Sequence, residues 1–193
     1  MFNRRKFLKA LFLVATQRAM PSYARQFNDH AANEADAIAK MKDAQYPNLV
    51  LVNKGNGHLI VIEDGNRILT TPVILGTRKT PTPTGIFSLK DLANGSSYPK
   101  MYFHYDEHFV YLIHDVIAGR EQALLKSDPR QRQLSAGCIN ISQPFLDLTL
   151  EYARKKARET LLRTPIAIMP ENYSSEQFNK MLSDFKPQIY GIN

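Results

Sequence analysis

Two glycine-containing turns between short aliphatic runs constrain the fold more strongly than any other feature of the sequence. Asn56-Gly57 and Asp64-Gly65 each follow one such run and precede another. Both dipeptides favour the tight turns of β-hairpins, because their residues adopt positive φ readily. The sequence therefore predicts a three-stranded antiparallel meander. Its strands are residues 49–52, 59–62 and 68–75.

More strands are predicted beyond a proline-rich segment at residues 80–85. Pro81 and Pro83 remove backbone donors and bias their neighbours to extended geometry, so this segment is predicted to be a rigid loop. Apolar runs after it indicate further strands, and we expect the sheet to continue up to His114. The predicted strands are residues 86–89, 101–104, 109–114 and 165–169.

Helices are predicted on either side of these strands. Residues 29–46 form a short helix or spacer that ends before Pro47. Ser142 begins a longer helix with Pro144 in its first turn, and the run Arg154-Lys155-Lys156 is interpreted as its solvated face. Its apolar positions are Leu146, Leu150, Ala153, Ala157 and Leu161. A C-terminal amphipathic helix follows Ser174 or Ser175, with Phe178, Met181, Leu182 and Phe185 on its apolar side.

The chain has 193 residues, enough for one core, so we expect one catalytic domain. We divide it into an export signal at 1–24, a helical spacer at 25–48, the catalytic domain at 49–170 and the C-terminal helix at 171–193. The formal net charge is +7, but residues 1–24 carry five basic residues and no acidic one, which leaves +2 for the rest. A nearly neutral folded part argues against a nucleic-acid partner.

The N-terminus has the order of an export signal. Basic residues are followed by the apolar run 10–15 and by Ser22-Tyr23-Ala24, and Arg4-Arg5-Lys6-Phe7-Leu8-Lys9 resembles a twin-arginine signal. Cleavage is predicted after Ala24, and the location is the periplasm or cell envelope. The alternatives are an amphipathic helix and an uncleaved anchor. The apolar run is shorter than the roughly 20 residues that a membrane span needs, so no stable span is expected.

The sequence contains one cysteine, Cys138, which is a reactive thiol, an intermolecular link or a buried apolar residue. In the turn Ser135-Ala136-Gly137-Cys138, the backbone N–H groups of Gly137 and Cys138 can point at one position, as an oxyanion hole requires. A thiolate also needs a base nearby. The best candidate is His114, at the end of an apolar strand.

Together these residues resemble the signature of the L,D-transpeptidase catalytic domain, the YkuD family of peptidoglycan enzymes. In that family a strand-terminal His precedes a Ser/Thr-x-Gly-Cys-apolar-Arg/Asn turn, matched here by His114 and residues 135–140. Thr82-Pro83-Thr84-Gly85 matches a further motif, and the resemblance runs over about residues 49–169. It implies a mainly β fold with flanking helices, an L,D-transpeptidase-type β-sandwich that needs no cofactor or metal.

The resemblance also implies a reaction. Cys138 would attack the carbonyl between diaminopimelate and the terminal D-Ala of a peptidoglycan stem tetrapeptide, release D-Ala and pass the acyl group to an unidentified amine. His114 would act as general base and then acid. The N–H groups of Gly137 and Cys138 would be oxyanion donors, Ser135 would support the turn or the thiolate, and Asp115 would orient His114 through its main-chain oxygen.

Three features depart from the family pattern. Ala136 stands where His is frequent, Asp115 stands where a small residue is usual, and the segment between the two motifs is long. Residues 115–134, the cleft loop, are expected to form a wall or lid of the substrate cleft. Its cations Arg120, Lys126, Arg130 and Arg132 either meet stem carboxylates or form a solvated basic face. The candidate substrate-binding residues are Tyr102, Arg120, Arg132 and Asn140.

Three other functions fit parts of the sequence. Water as acceptor would make the chain an L,D-carboxypeptidase or an endopeptidase that frees wall-attached protein. A metal-dependent hydrolase would use ligand-type residues near His114, although their spacing is not that of a helical zinc motif. These residues are His104, Asp106, Glu107 and His108. The third alternative is a non-catalytic protein that binds the cell wall.

Overall fold

The structure is a computed structural model that describes residues 23–91 and 100–190. The predicted export signal therefore lies outside the described residues except for its last two. The described helices are α1 (Tyr23–Asp43), α2 (Gln143–Thr160) and α3 (Ser175–Asp184), with 3₁₀ turns at Glu121–Leu125 and Pro129–Arg132. The described strands are β1 (Leu49–Asn53), β2 (His58–Glu63), β3 (Asn66–Pro72), β4 (Leu75–Gly76), β5 (Gly85–Ser88), β6 (Lys90–Asp91), β7 (Lys100–Tyr105), β8 (Val110–Asp115), β9 (Gln133–Ser135), β10 (Ile139–Ile141) and β11 (Pro165–Met169).

The predicted meander is confirmed, as β1, β2 and β3 pair antiparallel in succession. Its two turns use positive φ at Gly57, Asp64 and Gly65, as expected from their composition. The meander forms one side of a five-stranded sheet of order β3-β2-β1-β11-β5, in which β11 runs parallel to β1. All five residues of β1 are buried, because both faces of this sheet are covered.

Apart from β5 and β11, the later strands do not extend this sheet, so the expectation of one sheet continuing to His114 is wrong. The remaining strands are in two other sheets. They form a separate four-stranded sheet of order β10-β8-β7-β6, and β4 pairs with β9 in a two-stranded sheet. The two larger sheets share one core: Val50 and Leu59 from the first pack in the same cluster as Ile113 and Ile139 from the second. Leu146 of α2 completes it. The fold is thus mainly β with flanking helices, as predicted.

Helices α1 and α3 cover the other face of the five-stranded sheet. Ala37 and Met41 of α1 and Phe178 of α3 are fully buried against Leu51 and Ile60. Residues 25–48 are therefore not a spacer, because their helix packs into a second core. None of the helices in residues 23–91 and 100–190 is long and apolar enough to cross a membrane.

The predicted solvated face of α2 needs one correction. Lys156 is only 8% exposed, and its ammonium group pairs with Glu63 at 2.9 Å and with Glu159 at 3.0 Å. Glu159 is a local partner on the same helix, but Glu63 lies on β2, so the local sequence does not reveal the contact that buries Lys156. Lys155 pairs with Glu63 as well, at 3.3 Å.

Candidate active site

The predicted base lies on β8, and the predicted nucleophile immediately precedes β10, the parallel neighbour of β8 in the four-stranded sheet. Asn140 of β10 is in register with His114 of β8, and Ile139 is in register with Ile113. Ile113 and Ile139 point into the shared core, so His114 and Asn140 project from the opposite face. We call this the cleft face. Cys138 immediately precedes β10, and it is two residues from Asn140, so the strand alternation directs it to the same face.

A main-chain oxygen orients His114. Nδ1 of the imidazole lies 2.7 Å from the carbonyl oxygen of Asp115. A carbonyl oxygen only accepts, so Nδ1 carries the proton and Nε2 carries the lone pair. Burial lowers the pKa of His114, and the charge of Lys100 lowers it further, which keeps the ring neutral at physiological pH. The carboxylate of Asp115 accepts from its neighbour's N–H, Val116 N, at 2.7 Å.

Asn140, which sequence reasoning placed among the substrate-binding residues, contacts the base directly. Its side-chain nitrogen lies 2.9 Å from Nε2 of His114, and the residue is fully buried. Its side-chain oxygen is also buried and has no hydrogen-bond partner in the described part of the chain. The Asn140 amide therefore donates a hydrogen bond to the lone pair of His114 Nε2 in this structure.

The thiol of Cys138 is partly buried and neutral in this arrangement. Sγ lies 3.9 Å from the carbonyl oxygen of Val110, and burial raises the pKa of the thiol. Among residues 23–91 and 100–190 no hydrogen bond joins Cys138 to His114. Catalytic hydrogen bonds are often long before substrate binds. The absence of this bond is therefore compatible with a pairing of Cys138 and His114 across the cleft face.

A tight turn presents Cys138, and Ser135 holds it closed. The Ser135 hydroxyl accepts from Gly137 N–H at 3.1 Å and donates to the carbonyl oxygen of Cys138 at 2.6 Å. Gly137 has φ +105°, and a Cβ there would lie 2.5 Å from Cε1 of Tyr111. Only glycine fits this combination of backbone conformation and close contact.

One of the two predicted oxyanion donors, Gly137 N–H, is already engaged in a hydrogen bond. Because Ser135 already accepts from Gly137 N–H, that group is not free for an oxyanion. No residue in the described part of the chain accepts from Cys138 N–H, which leaves it as the available donor of the predicted pair.

The proline-rich loop lies beside this turn. Gly76 N–H donates to the Thr82 hydroxyl at 2.8 Å, and the ammonium of Lys54 donates to the Thr82 carbonyl oxygen at 2.8 Å. Thr77 N–H donates to the carbonyl oxygen of Ser135 at 3.0 Å. A Cβ on Gly76 would lie 2.2 Å from the oxygen of Thr80, so the loop packs against a bare backbone. These contacts fix the strand that leads to Cys138.

Sequence reasoning missed Tyr111, which reads as part of an apolar strand. Its ring packs on Gly137, and its hydroxyl donates to Asp106 at 2.5 Å. That hydrogen bond, with burial, raises the pKa of Tyr111 to about 12. Asp106 also accepts from the backbone of His108 and Phe109, both at 2.8 Å. The β7–β8 turn is therefore tied to the turn that carries the thiol.

The cleft loop is not a uniform basic face. Arg132 is 3% exposed, and its guanidinium donates to the carbonyl oxygens of Lys126, Asn56 and Gly57. It is thus an internal anchor that joins the loop to the β1–β2 turn, and neither the solvated nor the substrate-binding interpretation fits it. Arg120 donates to the carbonyl oxygen of Leu134 at 2.7 Å and also braces the loop.

The remaining cations of the loop are at the surface. Lys126 and Arg130 are exposed, and Arg130 pairs with Asp128 at 3.0 Å. Tyr102 lies on the cleft face of β7 opposite Leu112, and its ring stacks on Tyr105 at 6.4 Å. Tyr102 therefore lies next to β8, the strand that carries His114, and it stays a candidate for substrate binding.

The ligand-type residues near His114 do not converge. His104 stacks between aromatic rings, 4.7 Å from that of Phe87 and 5.6 Å from that of Tyr111, while Asp106 organises the β7–β8 turn. Within the described residues, no three His, Cys, Asp or Glu side chains are grouped to hold a metal ion.

A thiol and an imidazole presented on one face by neighbouring strands, with a backbone donor at the thiol, suit cysteine-dependent acyl transfer. Residues 47–168 match the family model of the L,D-transpeptidase catalytic domain, YkuD. This match covers more than half of the chain, so the protein belongs to the L,D-transpeptidase catalytic domain family.

Solved L,D-transpeptidase structures are also similar to the chain. The catalytic domain from Enterococcus faecium, solved by NMR, is 20% identical with a TM-score of 0.42, and the match covers 64% of this chain and 98% of that one. The enzymes of Mycobacterium smegmatis and Stackebrandtia nassauensis are 17% and 19% identical, with TM-scores of 0.42 and 0.41. Those matches cover 64% and 67% of this chain but 59% and 58% of the other chains, less than two thirds of their length. Among curated proteins, none matches the chain.

Proposed function

We propose that the protein is a peptidoglycan L,D-transpeptidase with Cys138 as nucleophile and His114 as general base and acid. The observation that supports the proposal is the parallel register of β8 and β10, in which His114 lies opposite Asn140, two residues after Cys138. Membership of the L,D-transpeptidase family supports peptidoglycan stem peptides as the substrate.

In the first step Cys138 would attack the carbonyl carbon between diaminopimelate and D-Ala. The thiol proton passes to Nε2 of His114, while Nδ1 keeps its proton on the Asp115 oxygen. The Asn140 amide, which occupies Nε2 at rest, has to yield this position to the thiol. The carbonyl π electrons move to oxygen, and Cys138 N–H stabilises the charge that develops there.

Collapse of this intermediate breaks the carbon–nitrogen bond. The D-Ala nitrogen leaves with the proton from Nε2 of His114, and a thioester remains on Cys138. An acceptor amine then gives a proton to His114 and attacks the thioester carbon. The thiolate leaves and regains its proton, so the enzyme returns to its first state.

We also propose export to the periplasm or cell envelope. The support is the basic, apolar and small-residue order of residues 1–24, with Arg4 and Arg5 in the twin-arginine pattern. Replacement of both arginines by lysine should leave the protein in the cytoplasmic fraction. Unchanged fractionation of this double variant would contradict a twin-arginine route.

Incubation of the full chain with purified muropeptides, followed by mass spectrometry, tests the reaction. Crosslinked stems with loss of D-Ala are the expected products. Trimmed stems without crosslinks would assign the chain to a carboxypeptidase. In a parallel incubation with peptidoglycan that carries covalently attached protein, release of that protein would assign the chain to an endopeptidase. Full turnover by the Cys138→Ala variant would overturn the assignment of the nucleophile.

A further inference from the structure

The cleft face carries positive charge that the proposed mechanism does not use. Lys100 of β7 is directly opposite His114 of β8, and Lys90 of β6 is directly opposite Tyr102 of β7. Opposed residues of antiparallel strands project from the same face, so both lysines belong to the face of the thiol and the imidazole. Both are half-buried.

Within the described part of the chain, neither lysine is paired with a carboxylate. Among the side chains that the structure describes, none makes a hydrogen bond or ion pair with either ammonium group. Residues 92–99, which connect the two strands, contain no acidic residue. A half-buried cation without a carboxylate partner is costly, and an anionic ligand would offset that cost.

The order of residues across the sheet matches the order of atoms in the proposed donor. Asn140, His114 and Lys100 form one row across β10, β8 and β7, and Cys138 lies two residues before Asn140. In strand order, His114 on β8 therefore separates Cys138 from Lys100. In a stem that ends in D-Ala, the amide nitrogen lies between the attacked carbonyl carbon and the terminal carboxylate. The residue that protonates this nitrogen must therefore lie between the nucleophile and whatever binds the carboxylate.

The distances are compatible with this alignment. Strands are about 4.8 Å apart and rise about 3.3 Å per residue, which puts the α-carbons of Cys138 and Lys100 about 12 Å apart. Both side chains leave the same face of the sheet, so the gap between Sγ and Nζ depends on how far the flexible lysine side chain leans toward Cys138. One peptide residue spans about 3.5 Å, and a separation of this size leaves room for a single D-Ala between thiol and ammonium.

We propose that Lys100 binds the C-terminal carboxylate of the donor stem, the carboxylate of the D-Ala that leaves. This inference rests on the proposed function and assigns one residue of this chain to recognition of its tetrapeptide donor. Lys100 is then a specificity-determining residue for tetrapeptide donors. A longer stem would place neutral peptide, not a carboxylate, against the ammonium group.

A thermodynamic cycle tests whether Lys100 binds the donor carboxylate. It combines substitution of Lys100 with removal of the carboxylate charge from the donor. Two donors are compared, a stem tetrapeptide with a free terminal carboxylate and the same peptide with a terminal carboxamide. Release of D-Ala or its amide is measured as kcat/KM for the full chain, the Lys100→Gln variant and the Lys100→Arg variant. Lys186→Gln, an exposed lysine after α3, is the matched control for loss of one charge.

We expect the wild type to prefer the carboxylate donor by about 10- to 100-fold, the range of a charge-assisted hydrogen bond. Lys100→Gln should lose this factor on the carboxylate donor and stay within about threefold of wild type on the amide donor. Lys100→Arg should keep most of the preference, which also shows that substitution at this position leaves the fold intact. Lys186→Gln should behave as wild type.

Two results would overturn the inference. If Lys100→Gln slows both donors equally, Lys100 acts only through the electrostatics of His114. If the wild type turns over both donors at the same rate, no carboxylate site exists, and the proposed transpeptidase function still stands. Failure of the wild type to release D-Ala from either donor would instead refute the proposed function, and this inference with it.

Discussion

The Ser135 hydroxyl donates a hydrogen bond of 2.6 Å to the main-chain oxygen of Cys138 and thereby closes the turn that presents the thiol. The same oxygen atom of Ser135 accepts from Gly137 N–H. Ser135 is only 4% exposed, so water does not readily replace either interaction. One hydroxyl therefore satisfies the N–H donor of Gly137 and the carbonyl acceptor of Cys138.

Ser135→Ala should lower the free energy of unfolding by about 1–3 kcal/mol, because it leaves both backbone groups unpaired. The rate of acylation of Cys138 should fall at least about tenfold, since the turn no longer fixes Sγ and Cys138 N–H. Urea denaturation and single-turnover kinetics measure the two effects. Ser183→Ala is the control, because Ser183 is exposed and bonds only to a carbonyl oxygen of its own helix. Equal behaviour of the two variants would contradict the role of Ser135.

Gly137→Ala should cost more than a comparable glycine substitution elsewhere. The added methyl group would lie 2.5 Å from Cε1 of Tyr111, and φ +105° is strained for alanine. Gly119→Ala is a matched control: φ is +86° there, but nothing lies within 4 Å of the added Cβ. The difference between the two variants in free energy of unfolding isolates the contact with Tyr111.

We expect Gly137→Ala to be at least about 1 kcal/mol less stable than Gly119→Ala and to lose nearly all turnover. Gly119→Ala should retain wild-type activity, because Gly119 lies in the cleft loop away from these contacts. Similar stability and similar activity in both variants would show that Tyr111 yields to the methyl group.

Cys138 should react slowly with iodoacetamide at neutral pH. Burial raises the pKa of the thiol and lowers that of His114, so both groups are neutral and no thiolate–imidazolium pair forms at rest. The alkylation rate should rise with pH through and above about 8.5, the ordinary value of a thiol. His114→Ala should leave this profile nearly unchanged. A rate that levels off near pH 7 in the wild type would reveal a preformed ion pair.

Acid should destabilise the protein through His58. Burial, with the charge of Arg132, lowers the pKa of His58 to about 4. The unfolded chain binds a proton at about pH 6.5 and the native protein does not, so stability falls as pH decreases between these two values. From about pH 7 to about pH 4.5 the contribution is about 2 kcal/mol.

His58→Gln removes the titrating group and provides the comparison. Denaturant midpoints of both proteins, measured at each pH, give the difference in free energy of unfolding. The wild type should lose about 2 kcal/mol more than His58→Gln over this range, because the carboxylates common to both cancel. Parallel curves would mean that His58 keeps its ordinary pKa in the native protein.

Local signals in the sequence were sufficient for the meander and for the longer helices. The turns at Gly57 and Gly65 were found because their dipeptides have few alternatives. The insertion of β11 between β1 and β5, and the division of the strands into two sheets, depend on pairing between distant segments. Strand runs alone do not encode such pairing.

The site follows the same pattern. The flanking motifs predict Cys138 and His114 as site residues, but Lys100 is paired with His114 only through the register of β7 and β8. Arg132 was misassigned because the local sequence shows a charged loop, whereas the carbonyl oxygens of Asn56 and Gly57 that bury it come from the β1–β2 turn.

The parallel register of β8 and β10 has an evolutionary consequence. The spacing of His114 and Cys138 is set by strand pairing, and the segment that joins them travels outside the sheet as the cleft loop. Insertions or deletions in that segment can therefore be accommodated without altering the pairing of the strands that hold His114 and Cys138 in place. The length and composition of the loop can thus change in evolution independently of the spacing between these two residues.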